Sequence, residues 1–464
     1  MKMKFNIIIN MAGRTREGAL LLVACAALVV AYALAVPPAL DGLDAVNFAR
    51  GLTDYDLARF QPHFPGYPVY MLLARGFSAA GVSDVWALAL PGVLGVPAGL
   101  AVLFLGLRRL WGGQVAILAA AAVGLAPIVA TVAARPGSDG LGLAVALAAM
   151  GAVAGGRERL AGALIGLIPG VRLSYLPIAA VLAAVRPSKR RVGMMVLASM
   201  AWAVPFAVVA GADLIALASD FVHGHLFRWG GTALASGGSV ALGLDRLTSF
   251  GAAVLVGGLG GGIAAGAVAL GLAFGGRRAR TMALLAAPYA LWVFVVQDAD
   301  DPRHSAPLVA ALLIAAAAGW ARTEGRWGRG PGRAAAAVGL IGLVLAAAPA
   351  IEAQRLQPSP ALQVARWVES RVPAAGTEYA GGGEVRLLNH RAPRFRARRQ
   401  RDLAAVRADL GSPRRRPRLV LVSSAVVGTE QAAAEGLEEL ARFRGSPSIH
   451  RDLGEVTIYR MRWP

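Results

Sequence analysis

Between residues 41 and 70 the sequence reads DGLDAVNFARGLTDYDLARFQPHFPGYPVY, which gathers Asp41, Asp44, Asp54, Asp56 and His63 in a chain otherwise sparse in ionisable groups. Asp41-Gly-Leu-Asp44 directly follows Pro37-Pro38 and precedes a helical pattern, so two readings of these acids stand. In one, Asp41 is the N-cap of a helix and Asp44, three residues on, completes a box-like arrangement. In the other, one of them is a general base that takes a proton from an acceptor hydroxyl or amine. A reaction that expels an alkoxide needs a second carboxyl group to protonate the leaving oxygen, whereas a phosphate leaves unaided. One base with cations to steady a phosphate is the combination this chain offers. The cations are Arg172, Arg303, His304 and Arg135, because guanidinium forks match phosphate oxygens. The competing reading makes each a snorkelling or acid-paired interfacial arginine.

Other chemistry is weaker. Asp54-Tyr-Asp56 and Asp298-Ala-Asp300-Asp301 offer oxygen ligands to a divalent metal, the one cofactor the sequence leaves open. His223 and His225 are two apart, with no Cys/His cluster beside them, so a zinc site is not indicated. The chain has no phosphate-binding P-loop, no G-x-S-x-G elbow and no dinucleotide fingerprint with its ribose acid. His63-Phe64-Pro65-Gly66-Tyr67-Pro68 fixes a turn through two prolines and a glycine, and Tyr67 and Tyr70 suit the headgroup level of a membrane.

The elements that must position these residues are apolar. Of 464 residues 56% are hydrophobic and 16% charged, and the mean hydropathy is +0.56, too much apolar surface for a water-soluble interior. Apolar runs of about 18 residues recur, each long enough to cross about 30 Å of hydrocarbon. The single cysteine, Cys25, lies in the first run, so no intramolecular disulfide forms. The net charge of +20 is first a topology signal, since arginines flank the spans, and no nucleic-acid recognition motif accompanies it.

Lys2, Lys4, Arg14 and Arg16 precede the first span, 18–36, and place the N-terminus in the cytoplasm. Crossings are then read over 85–107, 114–134, 140–156, 192–210, 249–274, 281–296, 305–321 and 334–350, with long external loops at 37–84 and 211–247, the second holding Trp229 and Asp245. Residues 160–185 are bounded by arginines at both ends, a pattern one span cannot satisfy. Pro169-Gly170 followed by Arg172, Ser174 and Pro177 therefore reads as two half-crossings that meet at Arg172. A charge and irregular backbone at membrane depth are tolerated only when buried in protein or lining a wet cavity. The count is about eleven spans, with acid-bearing external loops and mainly basic cytoplasmic ones.

From residue 352 to 464 the chain reads as a small soluble α/β domain on the external side, following a membrane domain over 1–351. Leu362, Ala365 and Val368 mark one helix, and Leu403, Val406 and Leu410 another. RLVLVSS at 418–424 and EVTIYRM at 455–461 read as strands, with a helix from Thr429 to about Phe443 between them. The arginine runs at 394–401 and 414–418 read as a solvated or lipid-facing surface.

In these residues the chain resembles the polytopic glycosyltransferases of the GT-C fold, in particular glycosyltransferase family 39 and the protein O-mannosyltransferase-like enzymes. In that group an external loop after the first span carries an essential aspartate and then a His-Pro-Pro-x-Tyr-like element, here Asp41 or Asp44 and His63-Phe64-Pro65-Gly66-Tyr67-Pro68. Asp44 is the better match, because a helix start already explains Asp41. Ser138-Asp139 stands where such enzymes open the fourth span, and Arg303-His304-Ser305-Ala306-Pro307 resembles their Arg-Tyr-x-x-Pro-like element, with histidine replacing tyrosine. The resemblance covers residues 15–350 in layout. It implies an α-helical polytopic protein of the inner (plasma) membrane that moves a mannose-like hexose or a pentose from a polyprenyl-phosphate donor to a lipid, glycan or protein acceptor on the external face. Asp44 or Asp41 would be the base, Arg172, Arg303, His304 and Arg135 the donor-phosphate ligands, and His63, Tyr67, Asp139 and Asp56 substrate contacts. The alternative is a transporter or flippase for a lipid-linked substrate, in which a broken helix and an intramembrane arginine serve passage.

Overall fold

The computed structural model describes residues 2–228, 232–235, 248, 258–298, 301–327, 329–410, 417–446 and 455–462. By packing, the chain divides into two compact units, Met1–Val36 with Phe64–Ile351, and Pro37–His63 with Glu352–Pro464. The loop after the first span is thus cut at residue 63, a division no composition change announces. Asp41, Asp44, Asp56 and His63 belong to the second unit, while Tyr67 belongs to the first.

The first unit is a helical bundle of the multi-pass membrane type. Each of the about eleven apolar segments has its own helix or helices. Among the described residues six helices are long and apolar enough to cross a bilayer, or seven if a bent pair counts as one span. That pair lies over the crossing expected at 114–134: Gly113–Gly124 and Pro127–Ala134 meet at 61°. Ala126 is extended (φ −67°, ψ 132°) and Pro127 follows it, as the steric bias of a residue before proline requires. The shorter apolar helices are Ser138–Ala154, Leu173–Ala184 and Leu259–Phe274.

Two features of the bundle set the site. First, Gly92, Gly99 and Gly106 recur every seven residues along the Asp84–Trp111 helix and let Ser138–Ala154 approach backbone to backbone. A Cβ at Gly99 would lie 2.4 Å from the Ala144 carbonyl oxygen, and one at Gly106 only 1.9 Å from that of Gly151. Small residues do this work in lipid, where burying apolar side chains against each other gains little over contact with acyl chains. The docked helix begins with Ser138-Asp139, both buried. Second, the segment 160–185 is broken at Arg172. Glu158–Val171 ends at Arg172, which is extended (φ −150°, ψ 102°), and a 3₁₀ turn over Leu173–Tyr175 leads into Leu176–Ala184. The second helix starts correctly because Pro177 lies in its first turn, where a missing N–H costs nothing.

The second unit holds a five-stranded sheet in the order β2-β1-β3-β5-β4, where β1 is Thr377–Gly381, β2 Arg396–Arg399, β3 Leu419–Ser423, β4 Glu438–Arg444 and β5 Glu455–Met461. Strands β2, β1 and β3 are parallel, while β5 and β4 are antiparallel additions. The helices Pro360–Arg371, Glu384–Arg391 and Leu403–Leu410 accompany it. The helix expected from Thr429 to about Phe443 is corrected: it covers Thr429–Ala434, and Glu438–Arg444 is a strand. Gly436, in the left-handed region (φ 63°), ends the turn, and the residues beyond it gain a ladder with β5 that a solitary helix lacks. The 394–401 arginine run forms edge strand β2, where charge discourages pairing with another chain. Of the 414–418 run, residues 414–416 lie outside the described residues.

Candidate functional site

In the first unit, Arg135, Asp139, Arg172 and Arg303 come together, with Asp301 as the member that completes the group. The Arg172 Nη2–Asp139 Oδ1 distance is 2.8 Å and Arg172 Nη1 donates to Ser138 Oγ at 3.2 Å. Arg303 Nη1 lies 3.7 Å from the other Asp139 oxygen, and its Nε 2.5 Å from Asp301 Oδ2. Arg135 Nη1 closes the chain 3.9 Å from Asp301 Oδ1. Among the described residues of this group, three guanidiniums face two carboxylates, an excess of one positive charge.

That excess is graded with depth. Side-chain exposure falls from 30% at Arg135 to 17% at Arg303 and 7% at Arg172, while both aspartates are nearly closed off. A buried guanidinium is tolerated only when paired and hydrogen-bonded; for Arg172, Asp139 supplies the ion pair and Ser138 Oγ the hydrogen bond. An anion entering from the Arg135 side meets cations of increasing burial.

Local structure fixes each member. Asp301 caps the 3₁₀ turn Pro302–Ser305, its Oδ1 accepting from Arg303 N at 3.2 Å. Burial opposes its charge, but Arg303, then His304 and Arg135, outweigh that and hold the carboxyl below its ordinary value. His304 is buried, with Nδ1 2.8 Å from the Asp298 carbonyl oxygen, so Nδ1 carries the proton it donates there. Tyr289 Oη donates to the His304 carbonyl at 2.9 Å and its ring meets Tyr175 edge-on at 5.6 Å. Tyr67, buried and left-handed (φ 50°, ψ 50°), caps the Pro68–Ala79 helix and lies within the electrostatic reach of Arg172. Tyr175 Oη and Ser305 Oγ are buried with no hydrogen-bond partner among the described residues.

In the second unit, Asp44 lies in the first turn of Leu43–Thr53, with Oδ1 3.9 Å from His63 Nδ1, and the His63 ring packs 5.8 Å from Phe48. The capping-box reading of Asp41 and Asp44 is corrected: the N-cap is Gly42 and no side chain caps it. Asp41 Oδ1 instead accepts from Ser359 N at 2.8 Å, tying the loop to the start of a helix 318 residues on. Asp56 accepts from the backbone N–H groups of Ala58 and Arg59 and pairs with Arg59 Nε at 2.6 Å, while Asp54 takes Arg59 Nη2 at 2.7 Å. Bonding to Arg59 lowers the Asp56 pKa. The Asp-x-Asp pair thus builds a turn around one arginine.

Among the described residues no group of three or more His, Cys, Asp or Glu is placed to hold a metal ion. Ala299 and Asp300 of the second acidic stretch, with Trp229 and Asp245 of the 211–247 loop, lie outside the described residues. That loop begins as helix Leu214–His223 and a π turn, Gly224–Arg228. His225 Nε2 lies 2.8 Å from the Val296 carbonyl, while the His223 ring packs on Phe227.

Two residues escape the sequence reading. Asp301 was visible only as part of an acidic run, although Asp-Pro-Arg is itself a capping signal for a short turn. Arg386, in a tail rich in arginines, carries no local signal at all.

The chain is similar to ArnT from Cupriavidus metallidurans in its apo state, at 17% identity and a TM-score of 0.54, over 96% of this chain and 98% of that one. The same figures hold for that protein bound to undecaprenyl phosphate. The chain has the GT-C glycosyltransferase fold. The apo form of the Archaeoglobus fulgidus oligosaccharyltransferase also shares it, at 11% identity and a TM-score of 0.54, over 92% of this chain and 74% of that one. No family model matches the sequence, and no curated protein matches it either.

Proposed function

We propose that the chain is an integral membrane glycosyltransferase that moves a sugar, a mannose-like hexose or a pentose, from a polyprenyl phosphate to a lipid, glycan or protein acceptor. The observation that carries this reading is the buried Arg172–Asp139–Arg303–Asp301–Arg135 chain, with one positive charge in excess. A phosphodiester supplies the missing negative charge, and Arg303 and Arg135, the less buried members, are the first to meet it. The fold supports the same class, since one solved neighbour of this fold is described as bound to undecaprenyl phosphate.

In the reaction the acceptor oxygen attacks the anomeric carbon as the carbon–oxygen bond to phosphate breaks, and the polyprenyl phosphate departs with the bonding pair. The acceptor proton goes to a carboxylate. Asp44 is assigned this role, in the first turn of its helix with His63 Nδ1 3.9 Å from its Oδ1. His63 and Tyr67 are assigned to substrate contact, Asp139 to holding Arg172 in place, and His304, whose Nδ1 is occupied by Asp298, to bracing the turn that presents Arg303. A single displacement of this kind inverts the anomeric centre. The positive-inside pattern puts the N-terminus in the cytoplasm of an inner (plasma) membrane protein and the 352–464 region outside.

The test is transfer by the purified full chain from a polyprenyl-phosphate hexose, with Asp44→Asn and Asp41→Asn compared. Loss of transfer in Asp44→Asn alone is expected; full activity in both variants ends the base assignment. Movement of lipid across a vesicle membrane with no release of polyprenyl phosphate would make the chain a flippase instead.

A further inference from the structure

Within the second unit, Asp44, Asn47 and Arg50 follow at intervals of three along Leu43–Thr53 and so share one side of that helix. Asn47 is buried, and its Oδ1 accepts from Arg386 Nη1 at 2.5 Å. The Arg386 guanidinium also lies 5.1 Å from the Phe60 ring centroid. Arg386 stands in the first turn of Glu384–Arg391, the helix that follows β1 through Gly381-Gly382-Gly383. Arg399 pairs with Gly381 at the carboxyl ends of the parallel strands β1 and β2. The strand order places β2 on one side of β1 and β3 on the other, so the chain reverses direction of travel at β1. Open α/β sheets bind ligands outside the carboxyl ends of strands at such a point.

The charges here do not balance. Half-buried Arg386 has its pKa lowered by burial first, then by Arg50 and Arg399, with Asp44 as the opposing charge. Neither Arg50 nor Arg399 has a carboxylate partner among the described residues. The nearest acid in the same turn, Glu384, is already engaged, accepting from Gly382 N at 2.9 Å and Tyr379 Oη at 3.1 Å. Three guanidiniums thus gather beside the carboxylate assigned as base, with one of them fixed by an amide and an aromatic face.

We infer that Arg386, with Arg50 and Arg399, is a recognition site for an anionic group, a phosphate or carboxylate, carried by the sugar acceptor. The inference rests on Asp44 being the base, and it narrows the acceptor from any hydroxyl compound to one bearing negative charge. Arg386 is the anchor, because its fork is preset by Asn47 and Phe60; Arg50 and Arg399 complete the field.

The experiment is calorimetric titration of the full chain in neutral detergent with hexose 6-phosphate, hexuronate and the uncharged hexose. Saturable binding of one or both charged sugars is expected, with no binding of the hexose. Arg386→Gln should weaken it at least tenfold and Arg386→Lys less, while Arg109→Gln, at an exposed arginine of the first unit, leaves it unchanged. Absence of binding by both charged sugars, or loss in Arg172→Gln with retention in Arg386→Gln, overturns the inference. Failure of the base assignment is seen separately, as full transfer by Asp44→Asn with charged-sugar binding intact.

Discussion

Replacing Arg172 by glutamine takes the donor-side cluster from three cations against two acids to a balanced two against two. Its 2.8 Å ion pair with Asp139 disappears, leaving that carboxylate with Arg303 at 3.7 Å. Breaking a buried pair from one side costs about 3–5 kcal/mol, and the remaining Arg303 places the loss toward the lower end. Binding suffers through a different term. A charge-assisted hydrogen bond to phosphate contributes about 1.5–3 kcal/mol, or roughly a 10- to 150-fold rise in donor KM. The two effects separate in the double variant Arg172→Gln, Asp139→Asn, which removes the orphaned carboxylate together with the cation. It should recover most of the lost thermal stability in detergent while donor KM stays high. A donor KM within threefold of the unsubstituted protein in Arg172→Gln would refute the phosphate role. Recovery of donor affinity in the double variant would do so too, since Arg172 would then be a packing element only.

Asp44→Asn should lower kcat by about 10²–10⁴ with little change in donor KM, the range for loss of a general base. Asp41→Asn keeps an oxygen that can accept from Ser359 N and should transfer at close to the original rate, measured with the same donor. Gly106→Val should abolish recovery of folded, monodisperse protein by size-exclusion chromatography. Its Cβ alone would meet the Gly151 carbonyl oxygen at 1.9 Å, whereas Gly113→Val, with open space around it, should not have this effect. The pKa of Asp301 is lowered in the fold, so its share of stability is complete above the ordinary carboxylate value of 3.8 and is lost only as pH falls through the lower, folded value. Thermal unfolding of Asp301→Asn should therefore show its deficit from pH 7 down to about pH 4 and converge on the unsubstituted protein only in stronger acid.

The residues that report on the membrane, and on the break within it, are local, and sequence sufficed for them. An apolar run needs only its own length to cross a bilayer, and the basic residues on both sides of 160–185 lead to the expectation of a break within it, which the structure has at Arg172. Arg172 at that break followed, because backbone irregularity and charge at depth need protein around them. Ser138-Asp139, Arg303 and Arg135 were each visible as isolated charges near span ends. Their pairing was not, since an ion pair between residues 139 and 303 depends on which helices pack together. The glycines at 92, 99 and 106 decide part of that, through a backbone approach whose partner, Gly151, no local pattern names.

The second unit shows the same division. RLVLVSS and EVTIYRM were legible as strands because alternation and β-branching act within the strand itself. TEYAG, RARR and EELARFR were not, because the first is short, the second is all charge but one, and the third carries a helix-like composition that pairing with β5 overrides. Sequence could name Asp41 and Asp44 but not separate them by contact; a hydrogen bond to Ser359, 318 residues away, does so. Arg386 beside Asn47 is the same kind of fact, closed over 339 residues. Composition and spacing determined which segments are helices in lipid and which charges stand at their ends, since both follow from the immediate solvent of each segment. Only the tertiary structure decided which charges neutralise one another and which remain for a ligand, because that balance is a property of distances between segments and not of any segment alone.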